Sequence, residues 1–555
     1  MENAFDPPIE AKRFQAVAAL SVIWGVATLL NITKAVHMDD AAYLEIARAT
    51  LADPLHPLSG LLNWGVTAEP IYRTASPLLW PWLLALVMQV AGENEIAFHG
   101  LMSAFSLASI YLFYALARRF APGHALALAA LFGLGPAFIP SQNLMLDVPM
   151  LTFWLLFFWA ILCSGRKDHQ AHRYILAGLA IALACLTKYT SLVLLPVFCL
   201  HLALEKRPRL FWSLLIPLGA LALWSAFNVF DYGRVHMIEH EGGAAHFSGI
   251  PWAHLPHRLF DTLVCLGAVS PFALACMPYL NASRRGRVVL MAGVAGFVVA
   301  FAAGFVFRGE TVFDSLLCAV FLLAAFWLLA SALMAPHEYS CEEESLEKPS
   351  GNDLAVVAAW LVFTLAFIFL LAPFLAVRHI LPAVPALLLL LGARVFPLLS
   401  RRVVVSSVAA TAVLGLMLGV SDWKFADSQR APAQGIRALL PRDASVWFTG
   451  HWGWQWNAAK NGMKQYDLRN TQLQEGDYLV VSNMMKSNPI VAPRYVPMLR
   501  EQGIMAVLGG PETLCRTMSE APWGGFYAGG AGALPWRFSQ QPLERFSIYK
   551  IERPR

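Results

Sequence analysis

Two adjacent carboxylates open the segment VHMDDAAYLEIAR, where Asp39 and Asp40 follow a run of about twenty uncharged residues, Phe14 to Thr33. A carboxylate held where a chain leaves an apolar stretch can take a proton from a hydroxyl as a general base. It can also simply cap a helix, because Asp is favoured at the N-cap and in the first turn. The spacing of Tyr43, Leu44, Ile46, Ala47 and Leu51 predicts such a helix, lying at an interface. A further carboxylate, Asp147, sits between long apolar runs in SQNLMLDVPMLTFWLLFFWA, where Pro149 suits the first turn of a helix and capping is again the plainer reading. Cations occupy the same kind of position. Lys188 interrupts the apolar CLTKYTSLVLLP and must face solvent or an anion, or else snorkel. Arg378 and His379 lie between two apolar runs in LAVRHILPAVPALLLLLGA, where an arginine either anchors an interface or grips a phosphate through two parallel hydrogen bonds. Arg73, in YRTASPLLWPW, is a further cation.

The loop DYGRVHMIEHEGGAAHFSG carries His236, Glu239 and His240 in the H-x-x-E-H order of one class of zinc protease. Gly242 and Gly243 end any helix directly after it, so a cavity-lining loop with an adventitious or structural metal is the better reading.

The elements that must position these residues are set by composition. Of 555 residues, 57% are hydrophobic and 14% charged, with a mean hydropathy of +0.54, which describes an integral membrane protein. The net charge of +5 comes from short basic clusters between apolar runs, which read as topology signals rather than as a nucleic-acid surface. Six of the eight cysteines lie in apolar runs, Cys341 in an acidic loop and Cys515 near the end, with no disulfide framework or zinc spacing.

About thirteen transmembrane helices are expected, at 14–33, 97–117, 124–146, 148–165, 174–187, 189–204, 210–230, 262–283, 288–307, 315–336, 354–377, 379–399 and 403–421. The segment 76–91 is short, contains two prolines and reads as re-entrant or interfacial. With a cytoplasmic N-terminus, this count places Arg118–Arg119, Arg166–Lys167, Lys206–Arg207, Arg284–Arg285 and Arg401–Arg402 on the cytoplasmic side; counting 76–91 as a span would reverse the later ones. Asp39, Asp147, Lys188 and Arg378 then share the outer face. Residues 1–421 form the expected membrane domain. Residues 422–555 read as a small outer α/β domain, with strands at ASVWFTG, DYLVVSN, IMAVLGG and FSIYKIE. The tryptophans of VWFTGHWGWQWN fit a domain core better than a sugar platform. The first apolar run lacks a small-residue cleavage site, so no cleavable signal is expected.

The order of these motifs resembles the polyprenyl-phosphate-sugar-dependent glycosyltransferases of the GT-C fold, nearest the bacterial members related to protein O-mannosyltransferases and to the aminoarabinose transferase that modifies lipid A. DDAAYLEIAR, LMLDVPMLTFW, LTKYTSLVLLP and RHILPAVPALLLLLGA carry the resemblance, over roughly residues 14–421. It implies an all-α polytopic membrane protein with a C-terminal α/β domain, in a bacterial inner membrane. Asp39 would be the catalytic base, with Asp40 where the family more often has Glu, and Asp147 the second catalytic carboxylate. Lys188 and Arg378 would face the lipid-linked phosphate, with Tyr43, Arg73, His379 and His240 completing the substrate contacts. The implied donor is a polyprenyl-phosphate sugar and the acceptor a lipid, glycan or protein, with inversion at the anomeric carbon. No cofactor is required, although a divalent cation has a place in some relatives, with His240 a candidate ligand. The competing class is a transporter or lipid-linked-sugar flippase, which predicts ionisable groups at mid-membrane and repeated halves.

Overall fold

The structure, a computed structural model, describes residues 9–163, 170–239, 255–307, 311–334, 349–372, 374–484, 489–518, 526–527 and 534–553. It is mostly helical. The chain begins with α1 (Ile9–Leu29), α2 (Asp40–Ala52), a small hairpin of β1 (Leu61–Asn63) and β2 (Ala68–Pro70), and α3 (Leu79–Ala91). The bundle continues through α4 (Glu95–Phe120), α5 (Ala125–Gly133), α6 (Asp147–Leu162), α7 (Gln170–Thr187), α8 (Leu194–Leu204), α9 (Leu215–Tyr232) and α10 (Leu255–Ala268). It closes with α11 (Arg284–Phe307), α12 (Val312–Leu333), α13 (Gly351–Leu371), α14 (Val384–Arg394) and α15 (Arg401–Leu439).

Among the described residues, seven helices are long and apolar enough to cross a membrane, or eight if the bent pair Leu255–Ala268 and Pro271–Asn281 is one span. Shorter apolar helices account for the remaining expected spans, and every expected span falls on helix for at least part of its length. The helix at 79–91 has 13 residues, about 20 Å at 1.5 Å per residue, too short to cross ~30 Å of hydrocarbon.

Three expected spans differ most from their sequence reading, and 354–377 also ends early, its helix stopping at Leu371. The run 124–146 is helical only to Gly133; residues 134–146 continue as buried irregular chain, interrupted by Gly135, Pro136 and Pro140. Buried backbone needs partners, and it finds them across the bundle: Asn31 Nδ2 donates to Ile139 O at 2.9 Å and Lys34 Nζ to Pro140 O at 3.2 Å, while the Gln142 side chain ties the segment to Ala27 O of α1 at 3.0 Å. Helix α15 lies hard against this segment at Gly415, where a Cβ would collide with the Leu134 carbonyl. The run 262–283 is bent by 85° just ahead of Pro271, whose missing N–H cannot continue the ladder. The run 403–421 does not stop: α15 extends over 39 residues to Leu439, carrying its axis out of the apolar stretch into the polar C-terminal region.

In that region β3 (Val446–Thr449), β4 (Lys464–Gln465), β5 (Tyr478–Ser482), β6 (Leu499–Val507) and β9 (Glu544–Ile551) form one sheet in the order β4-β3-β5-β9-β6. The four expected strand runs supply β3, β5, β6 and β9. A separate pair, β7 (Cys515–Arg516) and β8 (Arg537–Phe538), completes the strands. β3 runs parallel to β4 and β5, whereas β9 is antiparallel to β5 and β6, so the sheet is mixed. Between β3 and β4 lies α16 (Trp452–Lys460), which puts Trp452, Trp454 and Trp456 on a helix rather than on a strand. All three are buried, in keeping with a core, whereas the fourth tryptophan of the run, Trp447 on β3, is half-buried with Lys464 5.4 Å from its ring.

Candidate active site

The connection from α1 to α2 is short and buried, and its geometry comes from the two aspartates. Asp40 Oδ2 accepts the His37 backbone N–H at 3.0 Å while the Asp40 N–H donates to His37 O at 3.1 Å. This reciprocal pair closes a turn that holds Met38 in the left-handed region at φ 48°, a cost that a non-glycine residue bears only where its surroundings enforce it. Asp40 is fully buried, and burial pushes its carboxyl well above the usual range despite Lys34 nearby. Asp39 stands at the N-cap position of α2, yet its side chain makes no capping bond. Its Oδ2 instead accepts from Arg378 Nη1 at 2.7 Å, and a quarter of the side chain stays open to solvent.

Arg378 belongs to a single helical turn, Val377–Ile380, ahead of α14. It is held against the Phe374 ring at 5.5 Å, and Nη1 also lies 3.4 Å from Met145 Sδ. Its Nε has no hydrogen-bond partner among the described residues.

Asp147 is the first residue of α6, where the helix dipole favours negative charge. Its Oδ1 accepts from Lys188 Nζ at 2.7 Å; the lysine is a fifth exposed and the carboxylate almost closed off. Lys188 is an extended residue between α7 and the 3₁₀ turn Tyr189–Val193.

These pairs form one cluster. Arg378 acts electrostatically on Asp147, His379 lies within reach of Lys188, Arg378 and Asp147, and Asp39, Arg378 and Asp147 all act on the Tyr43 phenol. Burial beside Asp39 pushes that phenol upward, so Tyr43 faces the cluster as a neutral hydroxyl. Asp39, Tyr43, Asp147, Lys188, Arg378 and His379 are thus brought together. Arg73 is not placed with them: it is half exposed, 3.5 Å from Glu69 and stacked on Tyr72. His240 lies outside the described residues, and His236 Nδ1 is 2.7 Å from the Tyr189 hydroxyl. Among the described residues no group of three His, Cys, Asp or Glu could hold a metal ion, and Asp39 and Asp147 each already face a cation of the chain.

Sequence reasoning missed a second polar network behind this cluster. Lys34, 1% exposed, pairs with the equally buried Asp422 of α15 and donates to Asn31 Oδ1 at 3.2 Å, to Pro140 O at 3.2 Å and to Asn143 Oδ1. The Tyr527 hydroxyl donates to Asp422 Oδ2 at 2.7 Å and accepts from Asn143 Nδ2 at 3.1 Å. Thr517 Oγ1 reaches Asp422 Oδ1 at 3.1 Å, and His37 Nε2 lies 3.3 Å from the same oxygen. The available signal was the polar triplet Ser141–Asn143 inside an apolar run and Lys34 directly after one.

Residues 75–230, which include Asp147 and Lys188 but neither Asp39 nor Arg378, match the family model described as dolichyl-phosphate-mannose-protein mannosyltransferase. Over 162 residues the chain is 33% identical to the undecaprenyl phosphate-alpha-4-amino-4-deoxy-L-arabinose arabinosyl transferase of Pseudomonas aeruginosa, a match covering 28% of this chain and 29% of that relative. The chain therefore spans under a third of the length of the curated relative it matches. Among solved structures it is similar to ArnT from Cupriavidus metallidurans in the apo state, at 14% identity and a TM-score of 0.41, covering 98% of this chain and 99% of that one. It is also similar to the archaeal oligosaccharyltransferase AglB from Archaeoglobus fulgidus, in complex with an inhibitory peptide and a dolichol-phosphate, at 10% identity and a TM-score of 0.45, covering 85% and 70%.

Proposed function

We propose that this chain is an integral membrane glycosyltransferase that moves a sugar from a polyprenyl-phosphate-linked donor to an acceptor hydroxyl, by a single displacement with inversion at the anomeric carbon. The observation that carries this reading is the cluster itself: two carboxylates, each tied to its own cation, in a site where Arg378 keeps an unused N–H. The family and relative matched over part of the chain, whose descriptions name lipid-phosphate-linked sugar transfer, support the same reaction class.

Sugar transfer of this kind passes through an oxocarbenium-like state, so the site must remove a proton from the acceptor and stabilise the departing phosphate. Asp39 takes the acceptor proton. The acceptor oxygen bonds to the anomeric carbon as the bond from that carbon to the phosphate oxygen breaks, and the electron pair leaves with the polyprenyl phosphate. Arg378 and Lys188 receive that growing charge. A phosphate arriving at Arg378 competes for the guanidinium that now holds Asp39, so donor binding frees the base at the moment it is needed. Asp147 orients Lys188 and the acceptor, and Tyr43 supplies a neutral hydrogen bond. Asp40, buried and occupied with the His37 N–H, sets the turn rather than taking the proton.

In this reading the helices form a GT-C arrangement of about thirteen spans over residues 1–421, with 422–555 as an extracytoplasmic α/β domain, a cytoplasmic N-terminus, and a place in a bacterial inner membrane. The acceptor is a lipid, glycan or protein. No step is routed through a divalent cation. Mass spectrometry of envelope lipids and glycans from cells with and without the protein tests the proposal. Loss of one sugar modification, restored by the wild-type gene, is expected. An unchanged set of modifications accompanied by a redistribution of lipid-linked sugar across the membrane would instead favour a flippase.

A further inference from the structure

The C-terminal region is threaded into the site from behind, at a point no part of the chemistry above uses. The Phe526 carbonyl accepts the backbone N–H of Val377, the residue immediately before Arg378, at 3.1 Å. The next residue, Tyr527, is buried and donates its hydroxyl to Asp422, whose carboxylate also binds Lys34. Lys34 lies on the connection that ends in Asp39. Through Asn143, Tyr527 also holds the irregular segment that continues to Met145, beside Arg378, and to Asp147. Two consecutive residues of the C-terminal region thus touch, directly or through one side chain, the chain segments that present the base, the arginine and the second carboxylate.

We propose that Tyr527, with Asp422 and Lys34, is a positioning group for sugar transfer: it sets Asp39 and Arg378 at their working separation, and so makes the C-terminal region part of the active site. The inference rests on the reading of Asp39 as base. Misplacement of a reacting group by about 1 Å costs on the order of 100-fold in rate. The hydroxyl of Tyr527 is the link whose removal changes least else, since Phe keeps the ring that meets His37 edge-on at a centroid distance of 5.2 Å. Losing it removes one of the donors to Asp422 Oδ2, which keeps Lys34, and leaves Asn143 Nδ2 with Met145 Sδ at 3.8 Å as its hydrogen-bond partner, so both sides of a closed site relax.

The test compares Tyr527→Phe with wild type in two measurements. One is the amount of sugar-modified product in cells lacking the native protein, per folded enzyme. The other is binding of undecaprenyl phosphate to purified enzyme by native mass spectrometry. Tyr527→Phe is expected to lower product formation by about 10- to 100-fold while undecaprenyl phosphate binding changes by less than about threefold. A merely structural role would lower the yield of folded protein and leave both values per folded molecule at wild type, and that result overturns the inference. Should Tyr527→Phe fail to fold, Thr517→Val removes a different hydrogen bond to Asp422; a severalfold loss of product formation with binding kept is expected, and wild-type turnover overturns the inference. Asp39→Asn run alongside separates the two ideas. If it retains turnover while Tyr527→Phe loses it, the base assignment fails and the positioning role is reduced to Arg378; the reverse pattern removes only the positioning role.

Discussion

The Asp147–Lys188 pair makes the sharpest energetic prediction. Lys188→Met keeps the length and apolar stem of the side chain but removes the ammonium 2.7 Å from Asp147 Oδ1. Breaking a buried ion pair by deleting one partner costs ~3–5 kcal/mol, because the remaining charge stays desolvated. Two features reduce that figure here. The lysine is 20% exposed, so water can follow the lost ammonium, and Arg378 still acts on Asp147. A destabilisation of about 2–3 kcal/mol is therefore expected for Lys188→Met. Replacing both partners, as in Lys188→Met with Asp147→Asn, removes the stranded charge and should cost only ~1 kcal/mol. The single changes should then sum to several kcal/mol more than the double change. The assay is chemical unfolding of the four proteins in one detergent, followed by tryptophan fluorescence. Additive costs, or a Lys188→Met protein as stable as wild type, would mean that the two groups do not depend on one another, and the cluster would lose one of its two pairs.

Arg378→Ala should weaken binding of undecaprenyl phosphate more than Arg378→Lys does, by about tenfold against a few fold, since both lose the fork but only one loses the charge; equal binding by all three proteins by native mass spectrometry removes the phosphate role. Asp40 gives a pH signature: its folded-state carboxyl is raised by burial, so the folded state holds the proton more tightly than the unfolded chain. Its contribution is complete below the unfolded carboxylate range and is lost as pH rises through the raised value. Asp40→Asn keeps an oxygen for the His37 N–H and cannot ionise, so it should gain stability over wild type as pH rises and lose little activity. A variant with no gain at high pH, or one as inactive as a base mutant, would assign Asp40 a charged role.

The helices were legible because apolar length is a local signal. Thus Glu95–Phe120 and Val312–Leu333 lie close to where hydropathy puts them. The break at Gly133, the bend before Pro271 and the extension of α15 to Leu439 were less so, because each is decided by what lies alongside. Residues 134–146 leave the helix where side chains from elsewhere in the chain satisfy their backbone carbonyls, Asn31 at Ile139 and Lys34 at Pro140. The residues that cluster here stand out in the sequence as charges out of place in apolar runs, but their pairing does not. Asp39 and Arg378 are 339 positions apart, and nothing local says that Asp39 binds an arginine instead of capping its own helix. The same holds for Lys34 and Asp422. A lysine after an apolar helix reads as an interfacial anchor until its partner is known, and that partner lies on a helix whose sequence reading stopped one residue short, at 421.

The central claim is that Asp39 is the proton acceptor in sugar transfer, and one substitution addresses it. Asp39→Asn leaves the size of the side chain and an oxygen for Arg378 while removing the basic carboxylate. Product formation in cells carrying only this variant should fall by about 100-fold or more, with normal expression and with undecaprenyl phosphate binding kept or tightened, because a neutral amide competes less for Arg378. Near wild-type product formation by Asp39→Asn would contradict the account.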